Sequence, residues 1–167
     1  MNAILFGFKG SGKTHFGQLL SQKLGKKWID TDQEIEKRMG TGTIRQIYAS
    51  LGEEKFRAIE KEVIQSLIGV TDTVISLGGG VVLDLENREI LKKIGQLIYL
   101  EASFELLQKR IDPGYAPIDQ VRKMYHDRYP IYQTIPARRI NVELMDEAGV
   151  LAELESILYL EEPPDGL

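Results

Sequence analysis

The chain has 167 residues, with 21 Lys and Arg against 25 Asp and Glu and a net charge of -4, which suits one domain with a sizeable core and no second catalytic unit. Acidic and basic residues are interspersed, which argues against nucleic acid as the main partner, since such proteins present a basic face; two histidines and no cysteine exclude disulfides, thiolate metal sites and multi-histidine metal centres. No apolar stretch approaches the roughly 20 residues of a membrane helix, and Met1-Asn2-Ala3 lacks the basic start of a secretory leader, so a soluble, cytoplasmic protein without membrane or nucleic-acid partners is expected.

The apolar run over residues 3–8 is a predicted strand, and it leads into Gly7-Phe8-Lys9-Gly10-Ser11-Gly12-Lys13-Thr14, a GxxxxGKT phosphate loop. Glycines in such a loop let backbone N–H groups crowd around phosphates, Lys13 can reach the β and γ oxygens, and the Thr14 hydroxyl is placed for Mg²⁺. Phe16, Leu19, Leu20 and Leu24 then mark a helix over 13–24, whose positive dipole end points at the anion. The site for a nucleotide triphosphate is read as Lys9, Gly10, Ser11, Gly12, Lys13, Thr14 and, in the first helical turn, His15, which by itself suits a structural or solvated role better.

A second strand at 28–29 runs into Asp30-Thr31-Asp32 and a helix over 32–39. Two carboxylates there flank the nucleotide: one can hold Mg²⁺ through water, and the other can accept a hydrogen bond from a substrate hydroxyl and orient or deprotonate it. The same tripeptide serves as a helix N-cap. The helix over 54–68 is marked by Phe56, Ile59, Val63, Ile64 and Leu67, and it sets Arg57 three residues before Glu60, the spacing of an ordinary surface ion pair. After a third strand at 73–77, Gly78-Gly79-Gly80 can bare backbone N–H groups to a closely approaching ligand, or simply turn the chain.

A helix over 84–93, a strand at 96–100 and a helix over 103–110 follow. A long helix over 119–133 closes on Arg128-Tyr129-Pro130-Ile131-Tyr132, where a cation also suits the helix dipole. A strand at 139–142 and a helix over 147–160 complete the pattern. Five strands alternating with helices predict a doubly wound, parallel, three-layer α/β/α sheet with ligands at the carboxyl ends of its strands. One domain over 1–160 is expected, with a short lid at about 111–118 and a C-terminal tail over 161–167.

In chain order, GxxGxGKT, Asp-Thr-Asp, Gly-Glu-x-x-Phe-Arg-x-x-Glu ending at Glu60, Gly-Gly-Gly and Arg-x-Pro-x-Tyr ending at Tyr132 together resemble the shikimate kinases, over the chain up to about Val142. The resemblance implies a P-loop kinase fold, usually monomeric at this size, that uses ATP and Mg²⁺ to phosphorylate the 3-hydroxyl of shikimate in chorismate and aromatic amino acid biosynthesis. By position, Asp32 would bind the ring hydroxyls, Arg57 and Arg128 the carboxylate, and Gly78, Gly79 and Gly80 would supply N–H groups and close approach. Lys13 and Thr14 would serve ATP and Mg²⁺, with Asp30 acting on the metal through water. Guanidinium forks suit an anionic acceptor because they pair bidentately with a carboxylate.

The sequence departs from that family in its lid. An Arg-Pro-Leu arginine that closes over the transferring phosphate is replaced here by Ala116 before Pro117, leaving Arg110, and less directly Arg122, as nearby cations. The stretch after the last strand, residues 142–146, also lacks a basic residue to stack on the base. A kinase of another small hydroxylated acceptor such as gluconate, a nucleoside monophosphate kinase, and a non-catalytic nucleotide-binding paralogue are the alternatives.

Overall fold

The apolar run after Met1 forms β1 (Asn2–Phe6), all five residues of which are buried, and β1 stands at the centre of a five-stranded sheet. The computed structural model describes residues 1–159; the predicted tail, 161–167, lies outside the described residues. After β1 come α1 (Lys13–Leu24), β2 (Lys27–Asp30), α2 (Thr31–Met39), α3 (Ile44–Leu51), α4 (Glu53–Ser66) and β3 (Thr73–Ser76). A 3-10 turn at Val81–Leu83, α5 (Leu85–Ile94), β4 (Gly95–Glu101), α6 (Phe104–Arg110), α7 (Ile118–Thr134), β5 (Arg138–Asn141) and α8 (Glu147–Tyr159) complete the described chain.

All strands pair in parallel, in the order β2-β3-β1-β4-β5. Ile4 of β1 sits in register with Ile75 of β3 on one side and Leu97 of β4 on the other, and all three are buried, as expected for inner strands covered on both faces. The predicted α/β/α sheet is thus the observed one. Because the order reverses at β1, with β3 and β4 on opposite sides, a crevice opens beyond its carboxyl end, where Gly7 begins the phosphate loop. Among the described residues no helix is long and apolar enough to cross a membrane.

Asn2 is 1 % exposed and ties the far end of the sheet together: its amide donates to the carbonyls of Val70 and Ile94 at 2.7 and 2.8 Å, and its Oδ1 accepts from the Thr73 N–H at 2.9 Å. Beside the main core lies a smaller apolar cluster of Ile35, Ile47, Phe56 and Val63, joined by Ile44, Leu51 and Ile59. It binds α2, α3 and α4 into a unit along one wall of the crevice.

Several boundaries differ from the predicted ones. β1 ends at Phe6, because Gly7 adopts φ 155° and starts the loop. The predicted lid loses Ile118 to the first turn of α7. The long helix predicted over 119–133 runs one residue further at each end, as α7, with Pro130 inside it at the cost of one backbone hydrogen bond. Arg128 lies six residues before the end of α7 at Thr134, beyond the last turn over which the helix dipole favours a cation. α3 was not predicted, although Ile44, Ile47, Tyr48 and Leu51 repeat at helical steps and Thr43 and Gln46 form a reciprocal capping box.

Candidate active site

The phosphate loop is shaped by glycines that only this backbone path explains: Gly10 and Gly12 have φ 86° and 98°, the left-handed region that L side chains avoid. Phe8 is buried and its ring meets Tyr125 of α7 edge-on at 5.4 Å, so the loop is anchored to a long helix. The Lys13 ammonium donates to the carbonyls of Gly7 and Phe8 at 2.7 and 3.2 Å. Behind it, Trp28 Nε1 donates to Ser76 Oγ at 3.0 Å, and Ser76 Oγ donates to the Lys13 carbonyl at 2.7 Å. This relay holds the start of α1 against β2 and β3.

Asp30 caps α2 and at the same time faces Thr14. Its Oδ1 caps α2 by accepting from the N–H groups of Asp32 and Gln33 at 2.9 and 3.2 Å, while its Oδ2 accepts from Thr14 Oγ1 at 2.9 Å. A hydroxyl and a carboxylate side by side next to the phosphate loop are hard oxygen donors that fit a magnesium ion sharing its shell with phosphate oxygens. The cap frees the Asp32 side chain to face the cleft.

The three glycines after β3 meet three of the predicted site side chains one by one. A Cβ on Gly78 would overlap the Asp32 carboxylate, one on Gly79 would lie 3.1 Å from Arg128 Nη1, and one on Gly80 would overlap the Arg57 guanidinium. The glycine turn is held open by hydrogen bonds of its own: the Gly78 N–H donates to Thr31 Oγ1 at 2.8 Å, and the Tyr132 hydroxyl donates to the Gly79 carbonyl. Arg57 is fixed by Glu60 at 2.7 Å. That pair has the predicted spacing but not the predicted surface setting, because Glu60 is 2 % exposed and burial raises its pKa against the pull of Arg57.

Lys13, Thr14, Asp30, Asp32, Arg57 and Arg128 border one cleft of about 1070 Å³, which also takes in Gly79, Gly80, Arg110, Tyr115 and Ala116. Burial lowers the Lys13 ammonium to about 8, against the opposing charges of Asp32 and Asp30. Burial likewise raises the Asp32 carboxyl to about 6, helped by the neighbouring charge of Asp30 and opposed by Lys13. Two groups displaced in this way in one cleft are the candidates for its chemistry.

The remaining predicted site residues fall as follows. Lys9, Gly10 and Gly12 line the cleft while Ser11 is wholly buried beneath it. His15 lines the cleft too, with Nε2 2.6 Å from Glu147 of α8. Arg110 reaches back to the Gly10 carbonyl at 3.4 Å. Arg122 instead pairs with Asp119 at 2.9 Å and lies over Phe104, outside the cleft lining. Sequence reasoning did not single out Arg45 and Tyr48, which α3 brings to the same cleft.

A phosphate loop at the switch point of a 2-3-1-4-5 parallel sheet, facing a pocket where a carboxylate and two guanidinium groups converge, defines a P-loop kinase of a small anionic acceptor. The shikimate kinase family model matches residues 9–158. The shikimate kinase of Symbiobacterium thermophilum is 37 % identical over 92 % of this chain and 94 % of its own, and that of Caldicellulosiruptor bescii is 44 % identical over 79 % of this chain and 81 % of its own. The solved shikimate kinase from Acinetobacter baumannii in complex with shikimate superposes with a TM-score of 0.81 at 30 % identity, covering 95 % of this chain and 91 % of that one. The chain belongs to the shikimate kinase family.

Proposed function

We infer that this protein transfers the γ-phosphoryl group of ATP to the 3-hydroxyl of shikimate, a step of aromatic amino acid biosynthesis. The observation that carries the reading is the meeting of Asp32, Arg57 and Arg128 on Gly78, Gly79 and Gly80. A carboxylated ring carrying hydroxyls needs cations at one end and an acceptor of its hydroxyl proton at the other, and this pocket supplies both.

In this reading Arg57 and Arg128 grip the substrate carboxylate, with Glu60 orienting Arg57, while Asp32 accepts a hydrogen bond from the reacting hydroxyl and turns its lone pair toward the γ-phosphorus. A new O–P bond forms as the bond to the ADP oxygen breaks, and with a pKa near 6 Asp32 can receive the hydroxyl proton. Lys13 and the loop N–H groups hold the phosphates, and Arg110 adds positive charge beside the Gly10 end of the loop. Thr14, with Asp30 through water, would hold magnesium, which neutralises charge on the phosphate oxygens. We take the protein to act as a monomer in the cytoplasm, as suits a single-domain enzyme of this size with a biosynthetic reaction.

The test is coupled ADP release with shikimate and with gluconate as alternative acceptors. Shikimate-dependent release well above the gluconate rate is expected. Turnover of gluconate alone would move the protein to another kinase activity, and ATP binding without any acceptor-dependent release would make it a non-catalytic paralogue.

A further inference from the structure

The connection between α6 and α7, residues 111–117, carries no Lys or Arg of its own, yet its aromatic side chain, Tyr115, lies between two cations. Lys9 Nζ, from the phosphate loop, stands 4.4 Å from the centre of the Tyr115 ring, and the Arg45 guanidinium, from α3, stands 5.5 Å from it. Three separately built parts of the crevice, its floor, one wall and the lid, thus meet on a single ring. Both cations are exposed, and among the described residues neither makes an ion pair with a carboxylate. α3 contains no acidic residue, and Asp112, the acidic residue of the lid, accepts from the Gly114 N–H at 2.9 Å.

We propose that Arg45 is a positioning residue for phosphoryl transfer, gripping Tyr115 together with Lys9 and so latching the lid across the cleft. A ring face attracts a cation through its quadrupole, and it does so more strongly once water is removed from around the pair. Bound substrates exclude that water, so the grip tightens as the ternary complex forms. Arg45 stands on α3, which the small apolar cluster packs against α2 and against α4, the helix that carries Arg57, so occupancy of the acceptor pocket and closure of the lid are joined mechanically. Closure keeps water from the phosphate and completes the arrangement of charges. The inference rests on the kinase reading above.

The experiment compares the parent with Arg45→Ala, Arg45→Lys, Tyr115→Leu, Tyr115→Phe and the double variant Arg45→Ala/Tyr115→Leu. It measures kcat, the shikimate KM, and ADP released per shikimate phosphorylated. Arg45→Ala and Tyr115→Leu should each lower kcat by about fivefold or more, the scale of a desolvated cation–π contact, with a smaller change in KM and excess ADP release from hydrolysis. Arg45→Lys and Tyr115→Phe, which keep cation and ring, should restore most of kcat, and the double variant should fall no further than the worse single. A kcat for Arg45→Ala within twofold of the parent, single effects that multiply in the double variant, or failure of Lys to rescue would each overturn the proposal. A parent that turns over ATP without shikimate dependence would take down the kinase reading itself.

Discussion

Gly80 has no room for a side chain because the Arg57 guanidinium occupies the space its Cβ would need. The turn after β3 and the helix α4 are therefore shaped to one another, and the glycine is there to let the cation in. Its φ is not in the left-handed range, so the requirement is one of space and not of backbone conformation.

Gly80→Ala should accordingly push Arg57 aside without disturbing the sheet. The shikimate KM should rise about tenfold or more, the scale of a charge-assisted hydrogen bond, with nucleotide affinity unchanged. Kinetics at saturating ATP and a separate nucleotide titration check it. An unaltered shikimate KM would remove Arg57 from the carboxylate's grip.

The acid and base limbs of the pH profile should belong to Asp32 and Lys13. With Asp32 raised to about 6 and Lys13 lowered to about 8, kcat/KM should fall on the acid side as the carboxyl takes up a proton and ceases to accept a hydrogen bond. It should fall on the alkaline side as the ammonium loses its charge. Because each group feels the other's charge, the two apparent values describe the pair. Measuring kcat/KM from about pH 5 to about pH 9 tests this, and a profile flat through pH 6 would contradict it.

Most of the sheet was legible from the sequence because its strands are short buried runs separated by amphipathic helices, and the site because five motifs fall in a fixed order. What was missed has physical causes. α3 is one short amphipathic helix flanked by glycines, Gly42 and Gly52, and its apolar face is satisfied only by the side cluster, so its pattern is brief. Glu60 read as a surface partner because spacing alone cannot report burial. The cations that face the lid, Lys9 and Arg45, lie far from Tyr115 in the sequence, a proximity that only the folded crevice creates.

Asn2 should matter more for stability than its terminal position suggests. Asn2→Ala would strand the Thr73 N–H and the Val70 and Ile94 carbonyls, which its side chain serves within a buried setting. A loss of about 2–4 kcal/mol is expected, given about 1–3 kcal/mol for each buried group left unsatisfied and partial relief by water. Denaturant unfolding measures it, while the shikimate KM should stay unchanged because Asn2 lies at the end of the sheet away from the cleft.

Asp32 should show the opposite balance between stability and function. Its folded-state value near 6 lies above the ordinary carboxylate value of 3.8, so between these the folded protein keeps a proton that the unfolded chain has released. The carboxyl thus costs nothing below the lower value and its full penalty above the higher one, on the order of 1–3 kcal/mol. Asp32→Asn, which removes the charge at nearly constant shape, should raise the melting temperature at pH 8 and leave it little altered at pH 4. It should also abolish most shikimate-dependent turnover. Equal stabilisation at both pH values would show that packing and not charge sets the effect, whereas the expected divergence would mean that the site holds its carboxylate ionised at the expense of the fold.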